Sequence, residues 1–102
     1  MPVEIGMRGE AETVVTAQDT AQAMGSGLAP VLATPRMVAL MEGAAVNAVQ
    51  SALAPGEGTV GTRLDVTHDA ATPVGMKVWA QAEVTAVEGR RITFAVSAFD
   101  GR

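Results

Sequence analysis

One segment of this chain carries a sustained helical period, and it stands between stretches whose apolar residues recur at every second position. That order restricts the chain to a helix packed on a sheet. The helix opens with Ala33-Thr34-Pro35-Arg36-Met37-Val38-Ala39-Leu40-Met41-Glu42. Thr34 reads as the N-cap, its hydroxyl able to accept a backbone N–H, and Pro35 suits the first helical position, where its missing N–H is no loss. The helix is expected from about Pro35 to Ala52 or Leu53, with Pro55-Gly56-Glu57-Gly58 stopping it. Val38, Ala45 and Val49 recur at helical spacing around Glu42, which places a carboxylate on the apolar stripe. A charge there needs a partner or a task, unless Glu42 lies at the edge of the stripe and reaches solvent.

The flanking segments read as strands. Ala11, Thr13 and Val15 alternate within Arg8 to Thr16. Gly25, Ser26, Gly27 and Pro30 make 17–33 a turn or short irregular helix followed by a mobile connection, a candidate lid. Beyond the helix the period becomes two. Thr62, Leu64, Val66 and His68 fall on one strand face, and Arg63, Asp65 and Thr67 on the other. Met76, Val78, Ala80, Ala82 and Val84 then define a long half-buried antiparallel strand, Glu88-Gly89-Arg90 a hairpin turn, and Ile92, Phe94, Val96 and Ala98 the returning strand. Asp100-Gly101 is a further hairpin signal, so a last strand is expected beyond it, outside this sequence. The fold class is therefore α+β, with one long helix packed on a curved antiparallel sheet in a single domain over residues 1–102.

Composition narrows the function. The 102 residues are 48% hydrophobic, enough for a core, but that content is dominated by Ala and Val with two Phe, one Trp and no Tyr. The core must be built from small, close-packed side chains, and a domain this small gains from association into an oligomer. Eleven acidic residues against seven basic ones, with no basic run, argue against nucleic acid. Without cysteine there is no disulfide, thiolate nucleophile or cysteine-held metal. No segment approaches the ~18 apolar residues of a membrane span, so a soluble, cytoplasmic protein is expected.

The single histidine shares a strand face with Leu64 and Val66 and so points toward the helix stripe, where His68 and Glu42 can approach. An imidazole moves protons near neutrality, and a carboxylate can orient it or position a water. A satisfied structural histidine is the alternative, and Thr34 read alone is only a helix cap.

A resemblance adds to this reading. Val31 to Glu42, then Gly56-Glu57-Gly58-Thr59-Val60-Gly61-Thr62, Val66-Thr67-His68 and Val87-Glu88-Gly89-Arg90-Arg91, resemble in order and spacing the hot-dog-fold acyl-CoA thioesterases related to fluoroacetyl-CoA thioesterase, over about two thirds of the chain. The resemblance implies a hot-dog fold with a final strand inside the sheet, and a homodimer with active sites at the interface. It implies catalytic roles for Thr34, Glu42 and His68 and a contribution from Gly61. Pro35, Arg36 and Gly43 flank this set and differ from the fluoroacetyl enzyme, and Gln22 to Pro30 is a shorter lid without Phe. A general short-chain acyl-CoA substrate is therefore expected, with Pro35 and Arg36 on its binding surface.

The expected reaction is thioester hydrolysis without metal or cofactor. His68 acts as general base and then protonates the leaving thiolate, and Glu42 orients or activates the attacking group. Thr34 is either the nucleophile or the holder of a water. The start of the helix and the backbone N–H near Gly61 can stabilise charge at the carbonyl. Arg36, Arg63, Lys77, Arg90 and Arg91 are the cations able to meet coenzyme A phosphates. A non-catalytic acyl-CoA-binding or regulatory domain is the alternative function, and a hot-dog dehydratase a third.

Overall fold

The structure is a computed structural model, and it describes residues 3–101. Residues 1, 2 and 102 of the expected domain lie outside the described residues. In chain order the elements are β1 (Arg8–Val14), a 3-10 turn (Ala17–Asp19), α1 (Ala21–Met24), α2 (Thr34–Val49), a second 3-10 turn (Gln50–Ala52), β2 (Lys77–Glu88) and β3 (Arg91–Asp100). The three strands form one antiparallel sheet in the order β1-β2-β3.

Strand parity sets which residues the sheet turns toward α2. Ala11 pairs with Ala80, and Ala80 with Ala98, so small residues line up across the middle of the sheet. On β2 Val78, Ala80, Ala82 and Val84 are buried. Facing them, α2 buries Met37, Leu40, Met41, Ala44, Ala48 and Val49. These residues recur at the three- and four-residue spacing of one helix face. The approach is closest at Gly9, where a Cβ would run into the Ala44 carbonyl oxygen and the Ala48 backbone. Alanine and glycine at the contact let the helix sit near the sheet, and the larger Leu and Met side chains fill the space on either side.

The opposite sheet face is solvated and largely polar, its apolar exceptions including the exposed Val14 and Trp79 stacked on Phe99, ring centroids 5.7 Å apart, with the Lys77 ammonium over the Trp79 ring. Helix α2 tightens into its 3-10 turn, which ends at the extended Leu53, and the chain then turns at Gly56 with a positive φ of 84°. There the Ala54 N–H donates to Glu57 Oε1 at 2.6 Å.

Two expectations are corrected here. Glu42 is exposed, not on the buried stripe. The buried face is centred on Met37, Leu40, Met41 and Ala44, and Glu42, one residue past Met41, is turned about 100° from Met41 and farther still from the centre of that face. The segment 62–68 is not a strand. Its alternation survives in part, since Val66 and His68 are half-buried while Asp65, Thr67 and Asp69 are exposed. Among the described residues, however, no backbone hydrogen bond joins 58–70 to a neighbour, and a strand exists only by pairing. Between 65–70 and the free edge of β3 lies a groove of about 580 Å³, floored by Leu32, Met37, Met41 and Val78.

Candidate active site

Helix α2 begins one residue earlier than its sequence suggests, and this changes the role of Thr34. Ala33 is the N-cap, in extended conformation with no side chain to cap with, and Pro35 stands within the first two helical positions. The proline removes one of the N–H groups that would lack a partner, and the Ala33 carbonyl accepts from both Arg36 N at 3.1 Å and Met37 N at 3.0 Å. Thr34, the first helical residue, is therefore not the cap, and its hydroxyl is free for another partner. That partner is His68: Thr34 Oγ1 and His68 Nδ1 are 2.7 Å apart. Thr34 is exposed and His68 half-buried, so the pair is open to solvent on the threonine side.

The other face of this arrangement comes from the irregular chain after α2. Leu32 N donates to the Thr72 carbonyl at 2.8 Å, and Val31 pairs with Pro73. These bonds tie the chain after His68 to the residues just before Thr34. His68 lines the groove together with Met37, Met41, Val66 and Val96, with Asp65 and Asp69 at its rim.

Glu42 stands about two turns beyond Thr34. Its carboxylate lies against Gly61, where a Cβ would come within 2.8 Å of Glu42 Oε2. The structure thus brings the candidates together as two pairs, Thr34 with His68 and Glu42 with Gly61. Among the described residues no hydrogen bond or ion pair links Glu42 to His68. Pro35 is exposed beside Thr34.

Arg36 does not stand free: its Nε donates to Asp19 Oδ1 at 3.0 Å. Asp19 Oδ2 accepts from the Thr16 backbone N at 2.8 Å and from Thr16 Oγ1 at 2.9 Å. The Thr16 backbone N–H is the main cause that holds the Asp19 carboxyl below its usual range; burial opposes it, while the Thr16 hydroxyl and Arg36 reinforce it. Sequence reading passed over Asp19, although Thr16-Ala17-Gln18-Asp19 carries a threonine-to-acid capping spacing that marks such a turn. Of the remaining cations, Lys77 is 3.5 Å from Glu12, and Arg63, Arg90 and Arg91 are exposed. Among the described residues no group of three or more His, Cys, Asp or Glu side chains could hold a metal ion, and no helix is long and apolar enough to cross a membrane.

One long helix on an antiparallel sheet, with polar side chains gathered at the helix start, is a hot-dog architecture. The chain superposes on a hot-dog-like protein from Thermanaerovibrio acidaminovorans with a TM-score of 0.82 at 26% identity, covering 95% of this chain and 72% of that one. The family model for the fluoroacetyl-CoA-specific thioesterase matches residues 15–102, and the chain belongs to that family. It is 55% identical over 71 residues to the fluoroacetyl-CoA thioesterase of Streptantibioticus cattleyicolor, a match that takes in 70% of this chain. That match spans about half (51%) of the relative's length. It is also similar to the solved structure of a mutant fluoroacetyl-CoA-specific thioesterase in complex with fluoroacetate and CoA, with a TM-score of 0.90 and 42% identity over 97% of this chain and 84% of that one. All four residues of the two pairs lie inside the matched region.

Proposed function

We propose that this chain hydrolyses short-chain acyl-CoA thioesters to the free acid and coenzyme A, with Thr34 as nucleophile and His68 as its base. The observation that carries the reading is the 2.7 Å contact between Thr34 Oγ1 and His68 Nδ1. A threonine hydroxyl is a weak nucleophile unless a base within hydrogen-bond reach takes its proton, and this contact is within that reach. With Nδ1 unprotonated, the hydroxyl donates to it. As Oγ1 attacks the thioester carbonyl, the proton passes to Nδ1, the C–S bond breaks, and the proton leaves with the thiolate as coenzyme A. Water then attacks the acyl-threonine with its proton taken by the same nitrogen, returning Thr34.

Glu42, about two turns along α2 beside Gly61, is the carboxylate that the family resemblance assigns to orienting that water. This reading assigns the positive end of the α2 dipole and the Gly61 N–H to stabilising negative charge on the carbonyl oxygen. Pro35 and Arg36 border the entry to this site. The segment 22–30 acts as its lid, and because it carries no Phe the acyl preference is for general short chains over fluoroacetyl. The protein works as a homodimer, the arrangement that its family resemblance implies, and in the cytoplasm, a location consistent with a chain free of cysteine.

Release of free thiol from acetyl-, propionyl-, longer acyl- and fluoroacetyl-CoA tests the reaction. Turnover of acetyl- or propionyl-CoA supports it. Binding of these thioesters without turnover of any would replace it with a non-catalytic acyl-CoA-binding domain. Light scattering on the purified chain tests the dimer.

A further inference from the structure

Helix α2 starts without a side-chain cap, so the position of Thr34 depends on what holds the residues around it. Asp19 holds them on both sides. Its backbone carbonyl accepts from Ala33 N at 2.8 Å, immediately before Thr34, and its carboxylate accepts from Arg36 Nε, two residues after. The carboxylate is itself fixed by the two Thr16 donors. Both partners of the ion pair are largely covered, the Asp19 side chain being 16% exposed and that of Arg36 30%. From the other direction Leu32 is bonded to Thr72, so the start of α2 is clamped between the Asp19 turn and the segment that carries His68.

We infer that Asp19, acting through Arg36 and Ala33, is a positioning residue that sets the Thr34 hydroxyl in register with His68. The inference rests on the reading in which Thr34 attacks the thioester. Asp19 touches neither of the reacting groups. Its effect comes from the narrow range of the contact it supports, because a shift of the helix start by about 1 Å takes the hydroxyl beyond hydrogen-bond reach of the imidazole, and a misplacement of that size costs about a hundredfold in rate. The ionised carboxylate has only acceptor sites to offer Thr16 and Arg36, and the bonds they donate lower its pKa, the Thr16 backbone N–H first, against the opposing effect of burial. Asp19→Asn is a discriminating change. Asparagine keeps the size but replaces one oxygen with an NH₂, and wherever that NH₂ is placed it faces a donor, either the Thr16 N–H or the Arg36 Nε–H. One of the two contacts must fail.

His68 is the only histidine in the chain, so its ring gives the only imidazole signals in a ¹H–¹⁵N spectrum. With acetyl-CoA, Asp19→Asn is expected to lower kcat by about tenfold and leave KM within about twofold, as expected for an altered geometry of attack. The His68 ring signals should move from their wild-type positions toward those of Thr34→Ala. In the Thr34→Ala background Asp19→Asn should change the residual rate by less than about twofold, because the group it positions is gone. Arg36→Lys, which keeps the Thr16–Asp19 turn but not the Nε donor, should shift the ring signals in the same direction and serves if Asp19→Asn does not fold. A folded Asp19→Asn variant with wild-type kcat or unmoved His68 signals overturns the inference, as does a full tenfold loss that persists without Thr34. If wild-type protein turns over no acyl-CoA, the proposed function fails, and the ring signals alone still decide whether Asp19 positions Thr34.

Discussion

The Thr34 hydroxyl meets His68 Nδ1 at 2.7 Å across a junction between the first residue of a long helix and a segment without strand partners. The contact forms because neither group is needed elsewhere: the helix start is served by the Ala33 carbonyl and by Pro35, and His68 makes no other hydrogen bond among the described residues. An exposed hydroxyl bonded to an imidazole adds little to stability, and proton transfer is the role proposed for it.

Replacing Thr34 should therefore separate activity from folding. Thr34→Ala removes no capping bond, so its thermal midpoint is expected to stay close to wild type. Turnover should fall by about a hundredfold or more, the scale of a positioned general base losing its nucleophile. Thr34→Ser should keep substantial activity. His68→Ala and Glu42→Ala should each lower turnover as well. A Thr34→Ala enzyme with wild-type kcat would mean that water is the attacking group.

Much of this architecture was legible from local pattern, and the exceptions have a common cause. The period over Met37 to Val49 and the alternation on either side of Gly89 depend only on near neighbours in sequence, and both elements formed where they were expected. What depended on distant partners was misread. Glu42 was placed on the apolar stripe because Val38, Ala45 and Val49 surround it in sequence, but the sheet takes the face of Met37, Leu40, Met41 and Ala44. The alternation of 62–68 turned Val66 and His68 inward, yet a strand needs a pairing partner, and among the described residues no strand pairs with the segment. Residue type alone makes Thr34 a cap, and the Arg36–Asp19 ion pair escapes a local reading because the Asp19 carboxylate lies in another part of the sequence.

Acid should expose the Asp19 turn. Its folded pKa is lowered, first by the Thr16 N–H and with help from the Thr16 hydroxyl and Arg36, against the opposing effect of burial. A carboxyl with a lowered folded pKa stabilises the fold above the ordinary carboxylate range of about 4 and loses that contribution as pH falls through the folded value. Melting curves between about pH 2.5 and 6 should show Asp19→Asn less stable than wild type at the upper end, with the gap closing in acid. A gap that stays constant over this range would mean that the carboxylate charge contributes nothing to the fold.

Gly9 should tolerate no side chain. A Cβ there meets the Ala44 carbonyl and the Ala48 backbone, and helix backbone cannot yield as a side-chain tip can. Gly9→Ala must push β1 and α2 apart, and a loss of about 1–3 kcal/mol or more is expected. Gly58 has open space where its Cβ would go. Gly58→Ala should stay within about 0.5 kcal/mol of wild type. Urea midpoints for the two variants check the contrast, and equal values would show that the β1–α2 contact is looser than its geometry implies.

At Gly61 the obstacle to a side chain is the Glu42 carboxylate, not backbone. A methyl group would lie 2.8 Å from Oε2, so the flexible end of Glu42 must swing away, at little expense to the fold. Gly61→Ala should therefore keep a thermal midpoint near that of wild type while lowering thioester turnover by about tenfold, since the carboxylate leaves the place where the proposed reaction has it meet the water. If displacement of Glu42 is the whole cause, Gly61→Ala should have no further effect on turnover in a Glu42→Ala background. An additional loss in that background would assign Gly61 a role of its own, through its backbone N–H at the carbonyl oxygen, and the two singles with their double variant distinguish these outcomes in one assay.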